Sequence, residues 1–470
     1  MRTVLLAVVI CTASGCASAP AARSGGTETG FPVGVAAVDI TPPEPIRLTG
    51  YGNRVEPTAV ISQHLWAKAL AFGANDQRPS VLITTDLIGI PRHVTDEIAR
   101  RLRAASIERA QLAVTATHTH TGPSLAGMLP HIFSSPITPE QQAVIDRYTR
   151  GLTDKLEQVA LAALADRRSA RLTWGRGTAR FAANRRVLKD GKWVAFGVNP
   201  KGPVDHDLSV LAVRGPDGAL RAVLLNYACH ATTLEGRDNF VHGDWPGSAQ
   251  AAIQQRYPGA VAMVAVGAGA DANPNPRGHG LPDVERHALE IATEVERLLG
   301  SSGARPDASV MRTISSPPAG RYRDLDVAFS RLPMRQEWEA QASRKDASGY
   351  YARAVLQRLD RREPLSPTAP YPVQTWTFGA DLAMVFLGGE VVSDYALRLK
   401  RELDGTRLWV NAYSNDVPFY VASRRMIPEG GYEVDRSMVY YGMPARLADG
   451  TEDQIIDAVR QSLLPTFARR

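Results

Sequence analysis

Cysteine is scarce in this chain, and where it stands excludes a disulfide scaffold. Of three cysteines in 470 residues, Cys11 and Cys16 fall in an N-terminal leader and Cys229 is left alone in the body, so no internal disulfide can form there. Dense Lys/Arg runs are missing too. The net charge of +6 is mild for this length, and no basic stretch alternates with stacking aromatics, which excludes nucleic acid as a partner. No HExxH occurs, so the chain is not a zincin. The glycine-rich stretch Gly267-Ala268-Gly269 could cradle an anion on backbone N–H groups, but it lacks the Lys-Ser/Thr of a P-loop, and nucleotide binding is rejected.

The N-terminal apolar run, Val4 to Ile10 after Arg2, is too short to span a bilayer and reads as a secretory signal peptide. Ala13-Ser14-Gly15-Cys16 has the form of a lipobox with Ala where Leu is usual, so residues 1–16 read as a signal peptide with its lipobox, and cleavage is expected to leave Cys16 as the lipidated first residue. Ordinary signal-peptidase cleavage near Ala17 to Ala21 is the alternative. Residues 17–30, rich in Ala, Ser and Gly, read as a flexible tether. The expectation is an exported periplasmic or outer-membrane lipoprotein, held on a membrane surface by its anchor, with plain secretion as the alternative.

From residue 31 on, 44% hydrophobic and 22% charged content for the whole chain suits a globular body, and neither repeats nor low-complexity linkers interrupt it. Strands are predicted at Val33–Ile40, Leu65–Phe72, Pro79–Ile88, Leu112–Thr115, Arg171–Gly175 and Ala260–Val266. Asp207–Arg214 and Leu220–Tyr227 form a predicted hairpin turned by Gly215-Pro216-Asp217-Gly218, and Leu382–Leu387 is a late strand. Helices are predicted over Thr95–Ala105, from Thr138-Pro139-Glu140 onward, and over Ser248–Gln255, Asp283–Leu299, Arg335–Leu359, Ser393–Leu403 and Glu452–Leu464. This alternation predicts a mixed α/β (α+β) fold: one large domain with a central mixed sheet, flanking helices and a metal site at the C-terminal ends of strands.

The chemistry gathers at strand ends. Leu112–Thr115 runs into Ala116-Thr117-His118-Thr119-His120-Thr121-Gly122-Pro123, and residues two apart in extended chain face the same way, so His118 and His120 can address one pocket. A pair of hydrogen-bonded loop histidines is the plainer reading of that motif. Imidazole is a favoured zinc ligand, but a catalytic site needs more donors. His230 stands beyond the Leu220 strand in the same way, and Glu390 follows Leu382–Leu387. Glu390 is a metal ligand or a cap for the next helix; Asp244, after His242-Gly243, orients a ligand or simply opens a helix. His64, His93, His131, His206, His279 and His287 are read as structural or exposed.

Taken in order, Thr-His-Thr-His-x-Gly-Pro, Asn184-Arg185, the His230 strand, Gly243-Asp244, Gly-x-x-Asp271-x-x-Pro-Asn275, Gly389-Glu390 and a Tyr before Tyr432-Glu433 resemble the catalytic domain of the neutral/alkaline ceramidase family. The resemblance covers about residues 31 to 445. It implies one Zn2+ per chain held by His118, His230, Glu390 and Tyr420, with Tyr413 and Tyr432 competing for the last place. It implies catalytic roles for His120, which would stabilise an oxyanion or shuttle a proton, and for Arg185 at the substrate carbonyl. Gly50, Tyr51 and Asn273 would bind substrate.

Two departures from that pattern matter. Ceramidases carry Ser where Asn273 stands, and an amide cannot be a nucleophile, so only a zinc–water mechanism is compatible with this chain. The immunoglobulin-like domain that follows the family's catalytic domain is not expected within residues 31–470. The function expected is hydrolysis of the amide bond of ceramide or a related N-acyl lipid. The alternatives are a metallohydrolase acting on a non-lipid amide or ester, and a lipid-binding lipoprotein without turnover.

Overall fold

The computed structural model describes residues 30–301 and 309–469. The signal peptide, the lipobox and all but the end of the tether lie outside the described residues. Two sheets are stacked face to face. The larger runs in the order Val261–Val264, Leu220–Asn226, Asp207–Arg214, Arg168–Thr178, Phe31–Asp39, Trp66–Phe72, Ser80–Thr85, Leu112–Ala116, with Arg312–Ile314 paired beside Arg168–Thr178. The second has Ala319–Ala328, Thr368–Phe378, Leu382–Leu387 and Leu408–Asn411. Both are mixed: the end pairs Leu220–Asn226 with Val261–Val264, Ser80–Thr85 with Leu112–Ala116, and Leu382–Leu387 with Leu408–Asn411 are parallel, and the other neighbours antiparallel.

Period-2 geometry explains the layering, because alternate side chains of each strand enter different cores. Leu70, Phe72, Leu82, Leu211, Val213 and Leu224 meet Trp376, Leu382, Met384, Phe386 and Trp409 in the core between the sheets. Their neighbours Ala69, Ala71, Ile83, Ala212, Val223, Ala383 and Val385 face the opposite way, into a second core shared with helices. Strands buried on both faces read as continuous apolar runs, which is why they are legible in the sequence. Helices Arg92–Leu102, Pro139–Ala165, Asp244–Arg256 and Leu281–Leu299 cover the outer face of the large sheet, and Thr451–Ser462 packs on the smaller one. Thr138 caps the long helix as its sequence suggests, accepting from the Gln141 N–H.

The expected mixed fold is therefore present, with differences in detail. The stretch between Leu299 and Arg335, where no element is predicted, holds the strand Ala319–Ala328, paired antiparallel with Thr368–Phe378. The single helix expected over Arg335–Leu359 is two, Arg335–Ala342 and Ala347–Asp360, broken where Asp346 caps the second through the Gly349 N–H. The helix after Gly243 begins at Asp244, not Ser248, despite Pro246, because proline is tolerated in a first turn. An unforeseen two-stranded ribbon, Arg186–Lys189 with Lys192–Phe196, turns at Asp190-Gly191, whose φ values of 51° and 72° are those an Asp-Gly turn favours.

Candidate metal centre

Strand ends of both sheets meet at one place. His118 lies two residues beyond Leu112–Ala116, and His230 four residues beyond Leu220–Asn226. The turn after Leu382–Leu387 delivers Glu390 into a two-residue strand, Glu390–Val391, whose parallel partner is Tyr420–Val421, so Glu390 and Tyr420 are register neighbours. The two sheets are tied together here by Ala116 N–H to Tyr413 O and by the bridge between Thr115 and Ser414. The ribbon Ala182–Asn184 pairs with Ala272–Pro274 and sets Arg185 beside Asn273.

The three imidazoles converge through one kind of nitrogen. His118 Nε2 is 3.2 Å from His230 Nε2 and 3.1 Å from His120 Nε2. Glu390 Oε2 lies 3.1 Å from His118 Nε2 and 3.2 Å from His230 Nε2. The opposite ring nitrogens face backbone carbonyls: His118 Nδ1 to Ile88 O at 2.6 Å, His120 Nδ1 to Gly50 O at 3.1 Å, His230 Nδ1 to Gly269 O at 3.4 Å. A carbonyl only accepts, so each Nδ1 carries a proton and each ring can turn an Nε2 lone pair inward. Lone pairs at such distances, joined by a carboxylate oxygen that is buried without a hydrogen-bond partner, call for a cation among them. A tetrahedral ion with nitrogen ligands at about 2.0–2.1 Å sets its ligand atoms about 3.3 Å apart, which these distances match.

Electrostatics agree with the geometry. Burial, with Arg185 nearby, lowers the His230 imidazole to about 3. Burial together with His118 and His230 pushes His120 well below its ordinary value. His118, with φ of +58°, occupies a left-handed conformation that a histidine adopts only under constraint from its surroundings, and the Tyr413 ring stacks on it at 4.1 Å.

Tyr420 is placed at the cluster, its hydroxyl 3.4 Å from His230 Nε2 and accepting from Arg185 Nη2 at 3.1 Å. Of its rivals, Tyr413 is taken up in the stack on His118, and Tyr432 packs edge-on against the Tyr420 ring. Glu390 is not a helix cap: Val392 stands at the N-cap of Ser393–Glu402, and the first N–H of that helix, at Ser393, donates to Asp271 Oδ1 at 2.7 Å. The Asp244 carboxylate orients no histidine ring, although the Asp244 backbone N–H donates to His242 Nδ1 at 2.9 Å. The carboxylate accepts from the Leu234 and Trp245 N–H groups, which pins the loop leaving His230, while the Trp245 indole donates to His230 O.

Gly50 and Tyr51 sit against His120. Gly50 has φ of +93°, and a Cβ there would fall 2.7 Å from the imidazole, so glycine is required on both counts. The Tyr51 ring lies 5.1 Å from that of His120, and its hydroxyl donates to Leu234 O. Asn273 accepts through Oδ1 from Arg185 Nη1 at 3.2 Å and from Thr232 Oγ1 at 3.3 Å. Among the described residues no other histidine joins this group.

Three side chains of the centre carried no role in the sequence reading. The Tyr441 hydroxyl donates to Glu390 Oε1, leaving Oε2 for the imidazoles. Glu433 accepts from Arg185 Nε at 2.8 Å with one oxygen and from Arg186 Nη1 with the other. Arg54 gathers the carbonyls of Thr49, His120, Glu235 and Asp238 under one guanidinium. Glu433 had a signal in its pairing with Tyr432; Tyr441 and Arg54 stand in unremarkable local sequence.

Fold and site together define a buried imidazole–carboxylate centre able to hold a metal ion, set where two stacked sheets of an α/β protein meet. The sequence profile of neutral/alkaline non-lysosomal ceramidase, N-terminal, matches residues 31–281, and the chain belongs to that family. Neutral ceramidase of Pseudomonas aeruginosa is 24% identical over 306 residues, which are 62% of this chain and 44% of that protein. Neutral ceramidase of Mycobacterium tuberculosis is 28% identical over 220 residues, 43% of this chain and 32% of that one. The chain thus spans under half the length of the curated relatives it matches. The crystal structure of the P. aeruginosa neutral ceramidase superimposes with a TM-score of 0.68 at 19% identity, covering 94% of this chain and 76% of that one. A ceramidase complexed with C2 gives 0.69 at 19% identity, covering 94% and 77%. The likeness in fold extends past residue 281, into the part that carries Glu390 and Tyr420.

Proposed function

We propose that this protein is a zinc-dependent amidohydrolase that cleaves the amide bond of ceramide or a related N-acyl lipid with water, yielding a fatty acid and an amine. The observation that carries the reading is the convergence of three Nε2 lone pairs and one unpartnered carboxylate oxygen. Family membership and the names of the relatives support the amide of a long-chain lipid as the bond attacked.

His118, His230, Glu390 and Tyr420 would hold the ion. Zinc in such a site supplies Lewis acidity and makes water a nucleophile near neutral pH. The protein's own groups do the rest. His120, kept neutral by burial and fixed by Gly50 O, has a free basic nitrogen facing the cluster, where it takes the proton of the attacking water and later returns one to the leaving amine. Arg185, locked by Glu433 and Tyr420, presents Nη1 beside Asn273 as a preorganised donor for the carbonyl oxygen as negative charge develops on it. Asn273 spends its Oδ1 on Arg185 and Thr232, so its contribution to substrate is donation from Nδ2. Gly50 and Tyr51 border the same space and hold the orientation of His120.

The test is metal content together with fatty-acid release from a fluorescent ceramide, for the wild type and for His118→Ala and His230→Ala. The expected result is about one zinc per chain, with hydrolysis abolished in both variants. Metal without ceramide turnover would transfer the reading to another amide or ester; absence of bound metal would overturn it.

A further inference from the structure

The ribbon Arg186–Lys189/Lys192–Phe196 stands apart from both large sheets, paired only with itself. Its burial pattern is the reverse of a core strand's. Val194, Phe196 and Val198, two apart in sequence, are 50%, 48% and 54% exposed, and Leu188 on the opposing strand is 36% exposed. Leu188, Val194 and Phe196 on the ribbon, with Val198 two residues past its second strand, expose apolar surface that water disfavours. Lys189 and Lys192 bracket the turn between its strands. Trp193, whose ring meets that of Phe196 edge-on at 5.5 Å, anchors the ribbon to the body, lying over Gly431 with the Arg436 guanidinium 4.8 Å from its ring.

The apolar face is continuous with the metal centre. Phe196 packs on Tyr432 with ring centroids 5.0 Å apart, and Tyr432 on Tyr420 at 5.4 Å. The Arg185 guanidinium carbon is 5.0 Å from the Phe196 ring. Aromatic rings therefore lead from the exposed ribbon to the residues proposed to hold the substrate carbonyl.

We propose that this ribbon is a lipid-docking element: it seats on a phospholipid surface with Val194, Phe196 and Val198 at the acyl boundary and Lys189 and Lys192 at the phosphates. It would bring the metal centre to the membrane that contains its substrate. The pattern of apolar side chains with flanking lysines is that of an interfacial anchor, and the net positive charge that Lys189 and Lys192 leave over Asp190 suits an anionic lipid surface better than an apolar protein groove. The inference rests on the reading that the substrate is a lipid amide, but its test does not depend on turnover.

Vesicles of phosphatidylcholine and phosphatidylglycerol are sedimented with the full chain and with its Val194→Asp/Val198→Asp variant, both in a Cys16→Ser background so that no acyl chain can attach at the expected lipid site. Neither valine belongs to the metal centre. The expected result is vesicle binding by the parent that falls about tenfold or more in the variant, with metal content, melting temperature and hydrolysis of a short-chain, water-soluble N-acyl amine unchanged. Val194→Leu should retain binding. Equal binding by parent and variant, or no binding by the parent, overturns the proposal. A parent that forms dimers which the variant loses, with vesicle binding unaltered, assigns the face to a second copy and overturns it as well. Binding without hydrolysis of any N-acyl amine would leave the ribbon's role standing and remove the proposed function; hydrolysis with equal binding would do the reverse.

Discussion

Glu433 and Tyr441 show how much of this centre depends on side chains that need never touch substrate. Glu433 is fully buried between two guanidinium groups, Arg185 and Arg186, so its charge is matched but not solvated. Replacing it with Gln leaves the buried Arg185 without a carboxylate, while Arg186 keeps Glu429 at 2.9 Å, a change of the kind that costs about 3–5 kcal/mol and frees Arg185 from its orientation. Glu433→Gln is expected to lower the melting temperature and to reduce kcat about 10- to 100-fold, while metal measured by atomic absorption stays near the wild-type level. Tyr441→Phe acts on the other side of the ion. Without the donor to Oε1, Glu390 is less firmly oriented, and metal affinity in competition with a chelator should weaken by about tenfold or more. The histidines were legible because imidazoles at strand ends are rare and their spacing carries geometry. Tyr441 was not, because a single hydrogen bond formed between distant segments leaves no local pattern.

Elements place these groups through a few backbone constraints. The loop through Gly50 passes so close to His120 that Gly50→Ala must either push the imidazole aside or distort a backbone at φ +93°. Hydrolysis should fall sharply while bound metal is retained, because His120 is not among the residues proposed to hold the ion; substitution at Gly191, in the exposed turn where a Cβ meets nothing within 4 Å, should leave both unchanged. A second constraint sits where the Leu408–Asn411 strand leads toward Tyr420. Burial pushes the Asp416 carboxyl up to about 6 from an ordinary 3.8, with Arg92 opposing. The folded chain therefore holds this proton more tightly than the unfolded chain between those values. The carboxyl's stabilising contribution is full below pH 3.8 and is lost as pH rises through 6. Asn keeps the oxygen that accepts from the Arg92 and Val417 N–H groups. Asp416→Asn should accordingly raise the melting temperature at pH 7.5 and change it little at pH 4. Most strands and helices were readable from apolar runs and caps. The long pair Ala319–Ala328 and Thr368–Phe378 was not, because Arg321, Arg323, Asp324 and Asp326 give its outer strand a solvated, charged sequence.

At the scale of the whole molecule, one core welds the two sheets. Trp409 is fully buried there and donates its indole N–H to Asn411 Oδ1 at 2.6 Å, next to Trp376 and Phe386 in the same cluster. Trp409→Ala should cost about 3–5 kcal/mol in denaturant unfolding. Because the sheets share this core, the loss is expected in a single transition, with metal released at the same denaturant concentration.

The supply of ligands from both sheets has a temporal side. His118 and His230 come from the large sheet, Glu390 and Tyr420 from the segments that follow the second one. A nascent chain that has reached only its midpoint owns the imidazoles but not the carboxylate or the phenol, and the imidazoles have nothing to close against. With the ligand set proposed above, capture of the ion would be a late step in biogenesis, and a chain interrupted before residue 390 would be born without the trap.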